Sequence, residues 1–167
     1  AVHVHEPGTV TDLYIQDEVR LSSWLLGNVG ARVDHFPTFG FYAAPRAGLV
    51  VLPREQTAGE LLYGGAFRAP NFWEQNDFYF GDRVDTLQPE AIDTHEFVWE
   101  RYCNDRLRTA VSTYWYSADR LITTVLDDTT LLGATYVNQG EVRAKGLEVE
   151  AQLRLRGESR ALVSYAI

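Results

Sequence analysis

Three arginines, Arg32, Arg68 and Arg108, sit at even-numbered positions of segments whose odd-numbered positions are mostly apolar. A guanidinium presents a rigid fork of donors that suits carboxylates, phosphates and anionic chelates. Glu18, Glu96, Glu100, Glu148 and Glu150 share that polar side. Two uses are therefore open to the arginines: contact with an anionic solute or a neighbouring domain, or pairing with acids on adjacent strands. A second chemical set follows Arg68 directly, with Asn71, Phe72 and Trp73, then Phe78, Tyr79 and Phe80. Such rings can stack on a planar ligand, pack on one another, or form a belt at a lipid interface. With Tyr116 on the polar side of its own segment, the candidate ligand contacts are Arg32, Arg68, Asn71, Phe72, Trp73, Tyr79, Arg108 and Tyr116.

Other chemistry has less behind it. His3 and His5 in HVH share one face of an extended segment but lack a third ligand nearby. Asp119, Asp127 and Asp128 lack the spacing and glycine of a calcium loop. No GxSxG, HExxH or glycine-rich phosphate loop occurs, so neither a catalytic centre nor a resident cofactor or metal is expected. The single Cys103 excludes an internal disulfide and any cysteine zinc cluster. A formal net charge of -8 counts against nucleic acid as a partner, since phosphate binding needs a basic stripe. Lys145 is the only lysine among 15 basic residues.

The elements that must position these side chains are strands. Period-2 alternation recurs along nearly the whole chain, and no stretch keeps a helical period. From Asp12 to Leu21 the apolar Leu13, Ile15, Val19 and Leu21 oppose Tyr14, Gln16, Glu18 and Arg20. Comparable segments run over 25–34, a short one over 47–53, and others over 61–68, 95–101, 107–116, 147–155 and 160–167. Trp99 and Trp115 fall on the apolar side, as lipid-facing or girdle residues would. Short turns are expected at Ser22-Ser23, 53–58, 103–105 and 156–159, and long loops at 36–44, 69–91 and 119–135. Alternating short and long connections place all short turns at one end of an antiparallel sheet, the pattern of an outer-membrane barrel with its polar lumen. A soluble β-fold of lipocalin or sandwich type, with ligand in a closed cavity, is the rival reading. At 167 residues one domain suffices, and the missing initiator methionine suggests a chain cut from something longer.

YGGAFRAPNFWEQ, LQPEAIDTHEF, LYIQDEVRL with GNVGARVDHF, PRAGLVVLP, STYWYSADRLI and YVNQGEVRAKGLEVEA resemble segments of the barrel of TonB-dependent outer-membrane receptors and lie along the chain in the family's order. The resemblance covers nearly the whole chain. It implies an all-β, antiparallel transmembrane barrel, present here as an incomplete segment of about eight meandering strands over residues 1–167. It further implies energised uptake of a scarce solute across the bacterial outer membrane. The cargo would be a metal chelate, most often an iron–siderophore complex, with cobalamin, haem or a glycan as other cargoes. The implied partners are outer-membrane lipid and the TonB complex, reached through a plug domain. The family's plug, its TonB-contacting segment, its roughly 22 strands and its closing aromatic strand are not in this sequence, so an internal piece from the later part of the barrel is expected.

Overall fold

Each segment of alternating side chains becomes a strand, and each pairs antiparallel with a sequence neighbour. The computed structural model describes residues 9–75, 87–126, 134–155, 157 and 159–167. Its strands are β1 (Thr11–Arg20), β2 (Leu25–Phe36), β3 (Gly40–Arg54), β4 (Thr57–Arg68), β5 (Glu90–Tyr102), β6 (Leu107–Asp119), β7 (Ile122–Leu126), β8 (Ala134–Asn138), β9 (Glu141–Arg154) and β10 (Arg160–Ala166). Eight of them form one sheet in the order β1-β2-β3-β4-β5-β6-β9-β10, and β7 and β8 form a separate hairpin. The expected all-β architecture of about eight meandering strands is what the chain adopts.

The connections at the short-turn end are as expected, but two of the three long loops are not. Residues 37–39 make a tight hairpin turn in place of the loop expected over 36–44. Gly40, at a φ of 81°, takes the left-handed conformation that lets the chain reverse there. β3 is consequently 15 residues long and runs through Pro45 to Arg54, not the short strand expected around Ala47. Its pairing with β4 extends no further toward the loop end than Arg46↔Gly64, beside Pro45, and shifts register between Val51 and Arg54, around Pro53. Both prolines lack the N–H that a continuous ladder requires. The stretch over 119–135, read from sequence as an open loop, contains β7 and, with residues up to 138, the β7–β8 hairpin.

The two faces follow residue parity. The odd face carries Leu13, Ile15, Val29, Leu49, Leu61, Phe97, Trp99, Leu147, Val149 and Val163, the even face Arg32, Arg46, Glu60, Glu96, Glu100, Arg108, Glu148 and Glu150. Nothing among the described residues covers the apolar side: Leu13 is 72% exposed, Ile15 70% and Val163 71%. A sandwich or lipocalin would bury that face in a closed core, and no such core forms among the described residues. The apolar band also runs obliquely to the register. On β2 and β3 it continues toward the loop end through Val33 and Ala43, whereas the line Phe67↔Ala91↔Asp119↔Glu141 turns charged by β6 and β9.

Two rings lie flat over glycines and lock adjacent strands, one on each face. A Cβ added to Gly59 would come within 2.8 Å of the Trp99 ring, and one added to Gly146 within 2.5 Å of Tyr114. Gly59→Val is expected to lift Trp99 off β4 at a cost of about 1–3 kcal/mol. The check is a shifted tryptophan emission together with a lower denaturation midpoint in detergent. Unchanged emission would mean that the ring is not seated on this glycine.

Candidate functional site

At the loop end of the even face, β1, β2, β3 and β4 enclose a cleft of about 530 Å³. The register builds it from small residues: Arg46 faces Gly30 on β2 and Gly64 on β4, and Arg32 faces Tyr14 and Ala44. Its far wall is aromatic. Phe36 and Phe67 line it with ring centroids 5.9 Å apart, and Tyr42 packs against Phe67 at 5.5 Å outside the lining. Phe67, expected beside Tyr63 on the apolar side, instead reaches these rings of the polar face, so strict alternation ends at the rim.

The cleft separates two arginines by their state of neutralisation. Arg32 donates to Asp34 from Nε (2.9 Å), its Nη2 lies in ion-pair contact with the same carboxylate at 2.8 Å, and Asp12 is at 3.9 Å. Asp34 is 2% exposed, a burial that an unpaired carboxylate would not tolerate. Arg46 has no ion pair among the described residues and lines both this cleft and the adjoining one over Asn28, Gly48 and Thr94. Sequence reasoning missed Arg46. Its even parity with Gly48 and Val50 is the available signal, and a strand expected to begin only at Ala47 leaves it out.

Arg68 lies at the tip of β4 and clamps two acids. It donates to Glu90 from Nε (2.7 Å) and Nη2 (2.8 Å), and to Glu74 from Nη1 (2.9 Å) and Nη2 (3.1 Å). Glu74 belongs to a single helical turn, α1 (Phe72–Gln75), closed by a capping box. The Asn71 side chain accepts from the amides of Trp73 (2.9 Å) and Glu74 (3.0 Å), and Glu74 returns to the Asn71 amide (2.7 Å). Phe72 and Trp73 ride on this turn, 38% and 63% exposed, in edge-to-face contact at 6.2 Å.

The clamp extends across the rim. Glu90 also accepts the Ile122 amide at 2.7 Å, Arg120 donates to the Pro89 carbonyl at 3.1 Å, and Asn138 bridges Gln88 to the Arg120 carbonyl. One hydrogen-bonded chain thus ties the ends of β4, β5, β6 and β8. Arg68→Ala is expected to leave Glu74 and Glu90 without their charge-assisted donors, costing about 1–3 kcal/mol locally. Hydrogen exchange over 69–75 and 87–90 should accelerate while the strands stay protected. Unchanged exchange there would overturn the clamp.

The remaining expected contacts do not converge on the cleft. Arg108 is at the opposite, turn end of the even face, between Glu100 and Glu150 at 2.5 Å each, so it takes the pairing role open to it from sequence. Arg32 and Arg68 are paired too, but with Asp34, Asp12, Glu74 and Glu90 rather than with the acids expected. Tyr116 stacks with Tyr114 at 6.3 Å on the even face of β6, across β5 from β4. Tyr79, Phe78, Phe80, Asp127, Asp128, His3 and His5 lie outside the described residues. Among the described residues no group of three or more His, Cys, Asp or Glu side chains could hold a metal.

Comparison with known proteins fits this architecture. Residues 5–166 match the family model described as TonB dependent receptor-like, beta-barrel. The fold is similar to that of the siderophore receptor PirA from Pseudomonas aeruginosa, with a TM-score of 0.77 and 19% identity over 96% of this chain and 34% of that one. It is similar also to a mutant of the ferric enterobactin receptor PfeA from Pseudomonas aeruginosa in complex with enterobactin, at 0.76 and 18% over 87% of this chain and 25% of that one. A third is the FrpB iron transporter from Neisseria meningitidis, at 0.74 and 17% over 95% of this chain and 25% of that one. The chain thus spans between a quarter and about a third of the length of these structures. No curated protein matches its sequence.

Proposed function

The chain belongs to the TonB-dependent receptor β-barrel family, and from that premise we propose that it forms part of the wall of an outer-membrane receptor importing a ferric siderophore. The wall would enclose a plug domain, through which the TonB complex supplies the energy. Transport, not catalysis, is the activity, and the residues 1–167 act as one portion of the barrel domain.

The observation that carries the reading is Arg46, which makes no ion pair among the described residues, in a cleft with an aromatic wall at the loop end of the polar face. A cation beside aromatic rings suits a solute that is both anionic and planar in part. Phe72 and Trp73, and Tyr79 further along the same connection, would meet that solute first, with Asn71 and Arg68 holding their turn in place. Arg32 and Tyr116 would line its path, and Arg108 would contribute to the lower wall. An iron–siderophore is favoured over cobalamin, haem or a glycan because the similar structures include siderophore receptors and an iron transporter.

The test is ferric-chelate binding to the protein, produced with its native flanking sequence and purified from outer membranes in mild detergent. Binding should quench tryptophan fluorescence for at least one siderophore class. Growth on that chelate as sole iron source should require the protein. A protein that stays monodisperse and folded without detergent, or that binds cobalamin or a glycan and no ferric chelate, would overturn the proposal.

A further inference from the structure

The turn end of the even face gathers arginines where its middle carries acids. Arg106 directly precedes β6, Arg154 closes β9 and Arg160 opens β10. Arg154 stands opposite Arg160 in the register, and its amide donates to the Arg106 carbonyl at 2.7 Å, so the three form a row across three adjacent strands. All three are exposed, and with Arg108, Gln56 and Gln152 they line a pocket of about 510 Å³. The Asn104 side chain accepts from the amides of Arg106 (2.9 Å) and Leu107 (3.0 Å), which fixes the turn that carries Arg106. Arg108, one level deeper, has its charge taken up by Glu100 and Glu150. Arg106, Arg154 and Arg160 make no ion pair among the described residues, although Glu55 and Asp105 line the same pocket. Like charges facing one another on paired strands are destabilising, and nothing among the described residues neutralises this row.

We propose that this pocket is a second anion site, at the opposite end of the face from Arg46, for a small solute bearing two or more phosphate or carboxylate groups. Arg106 to Arg160 spans two strand spacings, about 10 Å. A single charge cannot serve all three arginines, whereas a linear polyphosphate or a polycarboxylate spreads its oxygens along the row. Each guanidinium offers a planar pair of donors that matches such an oxyanion bidentately. Gln56 and Gln152 add neutral donors, while Glu55 and Asp105 repel a weakly charged anion and so set a threshold that only a polyanion passes. Filling the pocket replaces arginine–arginine repulsion with ion pairing, so the anion also tightens the ends of β6, β9 and β10. The row is set by cross-strand register alone and is independent of which solute is imported.

The test is calorimetric titration of inorganic triphosphate, and separately of citrate, into the detergent-purified protein with its native flanking sequence. Saturable binding that weakens as salt rises is expected. Binding of triphosphate alone assigns the pocket to phosphates, and of citrate alone to carboxylates. Orthophosphate should bind about tenfold more weakly than triphosphate, since it reaches fewer of the three arginines. Arg160→Gln should weaken the polyanion about tenfold, the loss of one charge-assisted contact. The same variant should raise the anion-free unfolding midpoint, because it removes a like charge facing Arg154. Arg160→Lys should keep more of the affinity than Arg160→Gln. Absence of binding by both polyanions, or equal affinity of Arg160→Gln and wild type, would overturn the site. So would a lower anion-free midpoint in Arg160→Gln, which would mean that the arginine is already paired within the whole protein. Ferric-chelate binding by the same preparations separates the two readings. Chelate binding without polyanion binding removes only the turn-end site, and polyanion binding without chelate binding removes only the import reading.

Discussion

Phe97→Arg is expected to cost about 2–4 kcal/mol of folding free energy in lipid, whereas Val98→Arg, one residue on, is expected to cost less than about 1 kcal/mol. Phe97 stands on the odd face between Leu61 and Thr113, at the centre of the apolar stretch of β5 that His95 and Arg101 bound. An arginine there would have to desolvate its charge or distort the bilayer around it. Val98 points to the even face between Glu60 and Ser112, where a new guanidinium finds an acid already in place. Equilibrium unfolding of both variants in lipid vesicles measures the difference directly. Similar costs for the two, or a larger cost for Val98→Arg, would reverse the assignment of faces and with it the membrane reading.

Arg46→Glu should weaken binding of the ferric chelate about 100-fold. Losing a charge-assisted contact to an anion costs about 1.5–3 kcal/mol, and the introduced carboxylate adds repulsion. The fold should be unaffected, because Arg46 has no acid partner among the described residues and its neighbours across the strands are Gly30 and Gly64. Arg108→Gln, removed to the turn end and held by Glu100 and Glu150, should alter stability more than affinity. Titration of chelate against both variants, with unfolding midpoints measured in parallel, separates the roles. Equal affinities for Arg46→Glu and wild type would exclude the cleft as the place where the solute's charge is read.

The sheet was legible because parity is a local property: Leu13 against Tyr14, or Val149 against Glu150, states a face without reference to anything distant. The apolar exterior with its polar interior followed from the same alternation, and the family segments reinforced it. Connections were harder. Gly40 and the Pro37-Thr38-Phe39 turn carry the signal for a hairpin, but Phe41 and Tyr42 made the stretch resemble an aromatic loop. Ile122, Thr123, Thr124 and Val125 are β-branched, a strand signal masked by the Asp and Thr content around them. Asn71-Phe72-Trp73-Glu74 is a capping-box pattern in plain view, and treating Asn71 as a ligand contact overlooked the local use of its side chain. Arg46 shows a different limit. Which of several arginines lacks a partner depends on cross-strand register, and no reading of one strand at a time supplies it.

The one-turn helix at the rim spends its polar groups on itself. Two of its first amides end on Asn71, the Asn71 amide ends on Glu74, and Glu74 in turn is held by Arg68. What remains turned outward is hydrocarbon and ring. On the proposed reading, a solute arriving at this rim would be sorted in two stages with different physics, first by whether it gives up water against Trp73 and only afterwards by the sign of its charge at Arg46. Salt should weaken the second stage and leave the first nearly intact, so that the kinetics of capture and the tightness of retention respond to ionic strength separately.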